Sequence, residues 1–173
     1  GGVTYQRYTY DGLYGPWNFH KYSGDCPSKS GGIEDFNNQQ QVFNCELVGL
    51  ADLRTDTNAV RGRVAAYLNK LIGYGVFGFR VDAAKHVGQT DLDAIYARLH
   101  RTKDGTRPYW ALEVFGGGPG RLSPQAFTRS GAVLGLDGVK QLKSAFKSYP
   151  TDATGSIATL KDFGEGSGLT PSD

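Results

Sequence analysis

The chain has 173 residues and a formal net charge of +2 at pH 7, so it is long enough for one domain with a sizeable core and favours neither nucleic acid nor an anionic membrane as a partner. No apolar run approaches the roughly 20 residues that cross a bilayer, so we expect no membrane span. The absence of methionine and of an apolar leader predicts that no signal peptide lies within this stretch.

The first part of the chain, residues 1–44, is rich in glycine, tyrosine and asparagine and lacks a helical period. This composition predicts irregular structure with short strands. The two cysteines, Cys26 and Cys45, flank a polar segment. They fit either two free thiols or a disulfide in an exported protein, and their spacing does not support a zinc site.

Helix and strand patterns alternate through the rest of the chain. Apolar residues recur at intervals of three and four over Asp56–Ile72, which predicts a helix that is capped by Thr55 or Asp56 and ended by Gly73 and Gly75. The same patterns predict the later elements: a strand over Val76–Val81, a helix over Asp91–His100, a strand over Tyr109–Phe115, a helical turn opened by Pro124, a strand over Ala132–Leu136 and helices over Val139–Lys147 and Ile157–Asp162. This order indicates a parallel α/β fold.

Ionisable side chains stand at the ends of the first two apolar strands. Arg80 and Asp82 lie two residues apart, so they point to the same side of the strand. A cation beside a carboxylate favours its ionised form, as a nucleophile requires, although a buried structural ion pair is an alternative interpretation. Glu113 ends the next strand with no cation adjacent in sequence, so burial would favour its protonated form. In a parallel sheet these two carboxyl groups would be neighbours.

Three separated segments of the chain resemble one enzyme family. The alpha-amylases, retaining glycosidases built on a TIM barrel, have a nucleophile segment that is closely similar to GFRVDAAKH at Gly78–His86. The segment Cys45–Leu53 resembles the calcium-site segment of that family, and Trp110–Val114 resembles its acid/base strand. The order and the rough spacing of these segments agree with the family over most of the chain.

The resemblance implies only part of the family's fold. A TIM barrel needs about 250 residues, so this chain would supply about strands 4 to 6 over residues 49–173, after an irregular, β-rich domain B insertion over residues 1–48. We therefore expect a fragment of a longer, secreted, monomeric enzyme, and we expect the fragment alone to be inactive. The family also implies a disulfide between Cys26 and Cys45.

The resemblance further implies a role for each site residue. Asp82 would be the nucleophile and Glu113 the acid/base, which are the two carboxyl groups that retaining hydrolysis needs about 5–5.5 Å apart. Lys85 and His86 would contact glucose units on the leaving-group side, unless they lie in a solvated loop. Phe36 would stack on sugar at the edge of the cleft, unless it is a core residue.

Two ions belong to the same set of expectations. Calcium takes about six to eight oxygen ligands, and the resemblance assigns it the carboxylate of Asp52 and the backbone carbonyls of Phe43 and His86. Taken alone, Asp52 could equally be a strand-end cap. Arg80 would lie among the substrate-binding residues, and in some relatives the corresponding arginine also binds chloride.

The function that these features indicate is endo-acting hydrolysis of internal α-1,4-glucosidic bonds in starch or glycogen. Two family motifs are absent from the chain: the Asn-His motif that precedes domain B, and the Asn-His-Asp motif that carries the third catalytic carboxylate. Gly120 stands where some relatives have a glutamate. The alternatives are a non-catalytic carbohydrate- or protein-binding domain on the same scaffold and a related α-glucosidase or transglycosidase.

Overall fold

The computed structural model of the protein describes residues 6–136. Its centre is a three-stranded parallel sheet in the order β1-β2-β3, formed by β1 (Gly78–Val81), β2 (Tyr109–Leu112) and β3 (Ala132–Val133). The parallel α/β fold predicted from the sequence is thereby confirmed. The helices predicted over Val139–Lys147 and Ile157–Asp162 lie outside the described residues.

The helices follow the alternation that parallel strands require, because each crossover must return the chain to the same end of the sheet. In chain order the α-helices are α1 (His20–Ser23), α2 (Gln39–Asn44), α3 (Asn58–Gly73), α4 (Gln89–Ala97) and α5 (Pro124–Phe127). Along the chain, helix α4 connects β1 to β2, and α5 connects β2 to β3. Short 3-10 turns occur at Pro16–Asn18, Leu47–Gly49, Ala84–His86 and Gly120–Leu122. None of the helices within residues 6–136 is long and apolar enough to cross a membrane.

Helix α3 begins later than the sequence predicts. Its N-cap is Thr57, whose side chain accepts a hydrogen bond from the backbone N–H of Val60, so the prediction of Thr55 or Asp56 as the cap was wrong. A turn closed by Thr57 N–H to Arg54 O precedes the helix and holds these residues outside the first helical turn. All the predicted strands are also longer than the observed ones, because the backbone pairing with a neighbour extends over fewer residues than the apolar run.

The segment before α3 contains short helices and isolated backbone bridges. The bridges pair Tyr10 with Tyr14, Phe19 with Leu53 and Gly32 with Glu46. The short strands predicted for residues 1–44 were therefore wrong over the described residues 6–44, where no bridge extends into a strand. The disulfide implied by the resemblance is confirmed, since Cys26 and Cys45 are bonded with their Cα atoms 4.9 Å apart.

The apolar core lies between the sheet and helices α3, α4 and α5. Its buried members come from both layers: Ala65, Ile72, Ala84, Leu92, Ile95, Leu99, Trp110, Leu112, Val114 and Phe127. The backbone approaches closely at Gly131, where an added Cβ atom would lie 2.7 Å from Trp110 Cδ1. This packing fixes β2 between its neighbours and so fixes the residue that follows it, Glu113.

Candidate active site

The two candidate carboxyl groups stand side by side at the carboxyl ends of neighbouring strands. Val81 pairs with Leu112 as the last residues of β1 and β2, and the next residue on each strand is Asp82 or Glu113. The backbone N–H of Glu113 donates to Val81 O at 3.0 Å, which extends the pairing to this residue. Parallel strands thus place both side chains at the carboxyl-terminal end of the sheet, which is the end where active sites of barrel enzymes form.

Both carboxyl groups contact one guanidinium. Arg80 Nη1 lies 2.6 Å from Asp82 Oδ1, and Arg80 Nη2 donates to Glu113 Oε1. The two carboxyl groups therefore face the same side of the sheet. The hydrogen bond to Asp82, with the charges of both carboxylates, raises the pKa of Arg80. No cation is adjacent to Glu113 in sequence, but Arg80 reaches it from the neighbouring strand.

The environments of the two carboxyl groups differ strongly. The Asp82 side chain is 76% exposed, whereas the Glu113 side chain is 10% exposed. The backbone N–H of Ala83 donates to Glu113 Oε2 at 3.1 Å, and Ala83 has a left-handed φ of 47°. A non-glycine residue in this region carries backbone strain of about 1–3 kcal/mol, and here the strained peptide orients a donor toward Glu113.

Lys85 lies in the turn after Asp82 and is only 6% exposed. Its ammonium donates to two backbone carbonyls, Phe115 O at 3.0 Å and Gly117 O at 2.8 Å. Desolvation by burial lowers the pKa of Lys85. A solvated-loop interpretation does not fit this residue, because its charged end is held inside the protein by the loop that follows Glu113.

His86 and Phe36 lie together at the edge of the site. Their rings form an edge-to-face pair with centroids 6.4 Å apart, and His86 Nδ1 lies 3.1 Å from Val42 O. Burial lowers the pKa of His86 more than the hydrogen bond to Val42 raises it. Phe36 is 52% exposed, so a core role does not fit it.

Asp52 is bound by a histidine that sequence reasoning missed. The buried His20 donates its backbone N–H to Asp52 O at 3.1 Å, and its Nδ1 lies 2.7 Å from Asp52 Oδ2. Desolvation raises the pKa of Asp52 and outweighs the opposing hydrogen bond and charge of His20. The two residues are 32 positions apart, and no local pattern in the sequence indicates the pair.

The oxygen atoms proposed for calcium fit a hard cation in their chemistry. Desolvation disfavours the charge of Asp52, and a bound cation would relieve this. Phe43 lies near the end of α2, and α2 packs against the 3-10 turn that ends at His86, since His86 contacts the carbonyl of the residue before Phe43. A carboxylate and two backbone carbonyls are three of the about six to eight oxygens that calcium takes.

A second group of possible ligands lies beside this one. Atoms of His20, Asp25 and Asp56 lie within 4.8 Å of one another. The guanidinium of Arg54 contacts Asp25 at 3.2 Å and Asp56 at 3.1 Å. One internal cation therefore already pairs with both carboxylates.

Known proteins resemble this chain over nearly all of its length. No protein-family model matches the sequence. The chain is 42% identical to an alpha-amylase of Thermomonospora curvata over 175 residues, which are 99% of this chain and 26% of that protein. It is 36% identical to the pancreatic alpha-amylase of Sus scrofa over 165 residues, which are 92% of this chain and 31% of that protein. The crystal structure of wild-type alpha-amylase I from Eisenia fetida superposes with a TM-score of 0.79 at 36% identity and covers 93% of this chain and 33% of that one.

A parallel α/β sheet with ionisable groups at the carboxyl ends of its strands is typical of α/β enzymes, both closed barrels and open sheets. Within this class, the chain is homologous to a segment of the alpha-amylases, and it spans about a quarter to a third of the length of the relatives it matches. The resemblance read from the three sequence segments is thereby confirmed.

Proposed function

We propose that this chain is the central part of a retaining, endo-acting alpha-amylase. The observation that carries the proposal is the pair of carboxyl groups, on neighbouring parallel strands, that share the guanidinium of Arg80. Retaining hydrolysis needs two carboxyl groups about 5–5.5 Å apart, one as nucleophile and one as acid/base. Two groups that contact a single guanidinium from the same side of a sheet are compatible with that separation.

The different environments of the two groups support their assignment. Asp82 is open to solvent, so its carboxylate is accessible to an anomeric carbon, and Arg80 is its partner. Glu113 is buried, and its carboxyl group would protonate the leaving oxygen and later activate water. The Ala83 N–H and Arg80 hold Glu113 in place. The third catalytic carboxylate of the family would come from outside this chain.

The substrate would be an α-1,4-glucan such as starch or glycogen. A structural neighbour, a mutant of alpha-amylase I from Eisenia fetida, has been solved in complex with maltohexaose. By the resemblance, His86 and Lys85 would lie on the leaving-group side of the cleft, Arg80 would belong to the substrate-binding residues, and the exposed ring of Phe36 is suited to stacking on sugar.

Calcium would act as a structural ion held by the carboxylate of Asp52 and the backbone carbonyls of Phe43 and His86. It would join the proposed domain B, residues 1–48, to the proposed part of the barrel, residues 49–173. Chloride binding by Arg80 stays a prediction. Both terminal nitrogens of Arg80 bind carboxylates in this structure. The Cys26–Cys45 disulfide supports secretion, since disulfides persist in oxidising compartments.

The proposal is tested by replacing the nucleophile in the complete enzyme. Asp82→Asn should reduce starch hydrolysis by about 10⁴-fold or more, because an amide cannot form the glycosyl ester. The measurement is the release of reducing ends from soluble starch, with circular dichroism to verify folding. Asp93→Asn, an exposed aspartate of α4, is the matched control and should keep wild-type activity. Near-normal turnover in Asp82→Asn would contradict the proposal and favour a binding domain or a different nucleophile.

A further inference from the structure

The loop that follows Glu113 has few internal restraints. It contains three successive glycines, Gly116–Gly118, and Gly116 has a φ of 66°. Among residues 6–136, no backbone–backbone hydrogen bond involves Phe115–Gly118. Glycine loses the most conformational freedom on ordering, so such a loop requires an external contact to hold one position beside the site.

Lys85 supplies that contact. Its ammonium donates to Phe115 O at 3.0 Å and to Gly117 O at 2.8 Å. The Lys85 side chain is buried, with 6% of the residue exposed, and among the described residues no carboxylate pairs with its ammonium. A buried ammonium is costly unless acceptors surround it. The two carbonyls therefore stabilise the lysine, and the lysine in turn holds the loop.

The position of Lys85 in the chain links this contact to the two candidate catalytic groups. Lys85 comes three residues after Asp82, and Phe115 comes two residues after Glu113. The lysine thus joins the segment that carries one candidate catalytic group to the loop that follows the other. A second connection lies at the far end of the loop, where Gln89 Nε2 donates to Arg121 O at 2.6 Å and Arg121 Nε donates to Gln89 Oε1 at 3.1 Å.

We propose that Lys85 is a positioning residue that fastens the loop after Glu113 to the segment after Asp82 and thereby fixes the two carboxyl groups relative to each other. We call the two hydrogen bonds from Lys85 to Phe115 O and Gly117 O the tether. The effect of the tether on catalysis rests on the proposed function, whereas the tether itself does not. Two of the three N–H donors of the Lys85 ammonium bind the loop, so this positioning effect is separate from the contact with glucose that the resemblance implies, and it does not depend on how many glucose units the substrate has.

The tether is tested by proteolysis of the complete enzyme without substrate. Phe115 is 58% exposed, so chymotrypsin can cut after it once the loop opens. Lys85→Met should increase cleavage after Phe115 by about tenfold or more, because loss of the tether makes local opening easier. Lys85→Arg should remain resistant, since a guanidinium can donate to both carbonyls. Mass spectrometry identifies the cut.

The matched control is Asn69→Ala. Asn69 also joins a distant loop by two side-chain–backbone hydrogen bonds, to Arg98 O and from His100 N–H, at 3.0 and 2.7 Å. It lies away from the carboxyl groups, so its loss should change neither cleavage after Phe115 nor activity. Cleavage after Phe115 that is equal in Lys85→Met and wild type overturns the tether.

Kinetics then separate positioning from direct sugar contact. A misplaced catalytic group costs on the order of 100-fold in rate, so kcat of Lys85→Met should fall by about 10- to 100-fold, with KM for an aryl α-maltotrioside nearly unchanged. The loss should be equal for starch and for an aryl α-maltotrioside, and Lys85→Arg should restore most of kcat. A rise in KM confined to long glucans, with unchanged proteolysis, would make Lys85 a substrate contact instead. If the wild-type enzyme hydrolyses no glucan, the proposed function fails while the proteolysis still decides the tether.

A wild-type measurement covers the case in which Lys85→Met does not fold. Acetic anhydride should modify Lys85 at least about tenfold more slowly than the exposed Lys29, because the buried ammonium is engaged by two carbonyls. Peptide mass spectrometry gives both rates. Equal rates would mean that the ammonium is free in solution, and the proposal would be wrong.

Discussion

At the scale of single residues, the site depends on how neighbouring strands share one cation. Arg80 belongs to β1 but contacts the carboxyl groups that follow both β1 and β2. Asp82 and Glu113 therefore share the same cation as an ion-pair partner, but they differ in how deeply they are buried and in their other hydrogen bonds. The backbone N–H of Ala83 contacts Glu113 alone, so Glu113 is the more rigidly held of the two, as expected for a group that must exchange a proton at a fixed leaving oxygen.

Replacing Glu113 by glutamine should separate proton donation from nucleophilic attack. We expect Glu113→Gln to lower starch hydrolysis by about 10²–10⁴-fold, because an amide cannot donate the proton. An aryl glycoside with an acidic phenol as leaving group needs less protonation, so the release of its chromophore should fall much less. Steady-state rates on both substrates provide the measurement.

The matched control for this substitution is Glu34→Gln. Glu34 is exposed, and its Oε1 accepts a hydrogen bond from Ser30 N–H at 3.1 Å, a bond that glutamine can also accept. Both substrates should react at wild-type rates in this control. Equal losses on starch and on the aryl glycoside in Glu113→Gln would argue against an acid/base role.

At the scale of elements, the segment before α3 has little regular structure of its own. Its helices α1 and α2 contain four and six residues, and its backbone bridges are isolated. Helices this short are not stable by themselves in water. The disulfide between Cys26 and Cys45 therefore carries much of the restraint on this segment, and Cys45 directly follows α2, the helix that contacts His86.

Removal of the disulfide should lower stability measurably. The double variant Cys26→Ser/Cys45→Ser should lose about 2–4 kcal/mol of unfolding free energy relative to the oxidised protein, chiefly because the unfolded chain regains freedom. Chemical denaturation followed by fluorescence gives this difference. A reducing agent should lower the stability of the wild type and leave the double variant unchanged. A double variant as stable as the oxidised protein would show that the bond contributes nothing to the fold.

At the scale of the whole molecule, the described sheet is open. Within residues 6–136, β1 and β3 each pair only with β2. A groove of about 490 Å³ is lined mostly by apolar residues of α3, α4 and β1, and also by Asp52, Arg80 and Asp82. Unpaired strand edges are sites of association, and a closed barrel removes them. This geometry supports the proposal that the chain works as part of a larger barrel.

Residues 1–173 expressed alone should therefore show little or no amylase activity and should associate in solution. The reason is that the Asn-His-Asp motif that carries the third catalytic carboxylate of the family does not occur in this sequence, and that within residues 6–136 the strands β1 and β3 each pair only with β2. Reducing ends released from soluble starch measure the activity, and light scattering measures the association. The complete enzyme, assayed at the same molar concentration, is the control. Turnover comparable to that control would show that this chain is self-sufficient.

The sequence by itself determined the features that are local in the chain. The periods of the apolar residues predicted β1, α3, α4 and β2, because burial of one face acts on neighbouring residues. The strand-end positions of Asp82 and Glu113 followed from the same patterns, and the disulfide followed from the resemblance.

Only the tertiary structure decided which side chains meet across elements. Arg80 reaches Glu113 from the next strand, Lys85 binds the carbonyls of Phe115 and Gly117, and His20 binds Asp52. These partners are about 30 positions apart in the chain, and their pairing depends on strand register and on the packing of helices against the sheet. No local period carries that information, since a side-chain contact over such a distance is fixed only when the backbone elements are assembled.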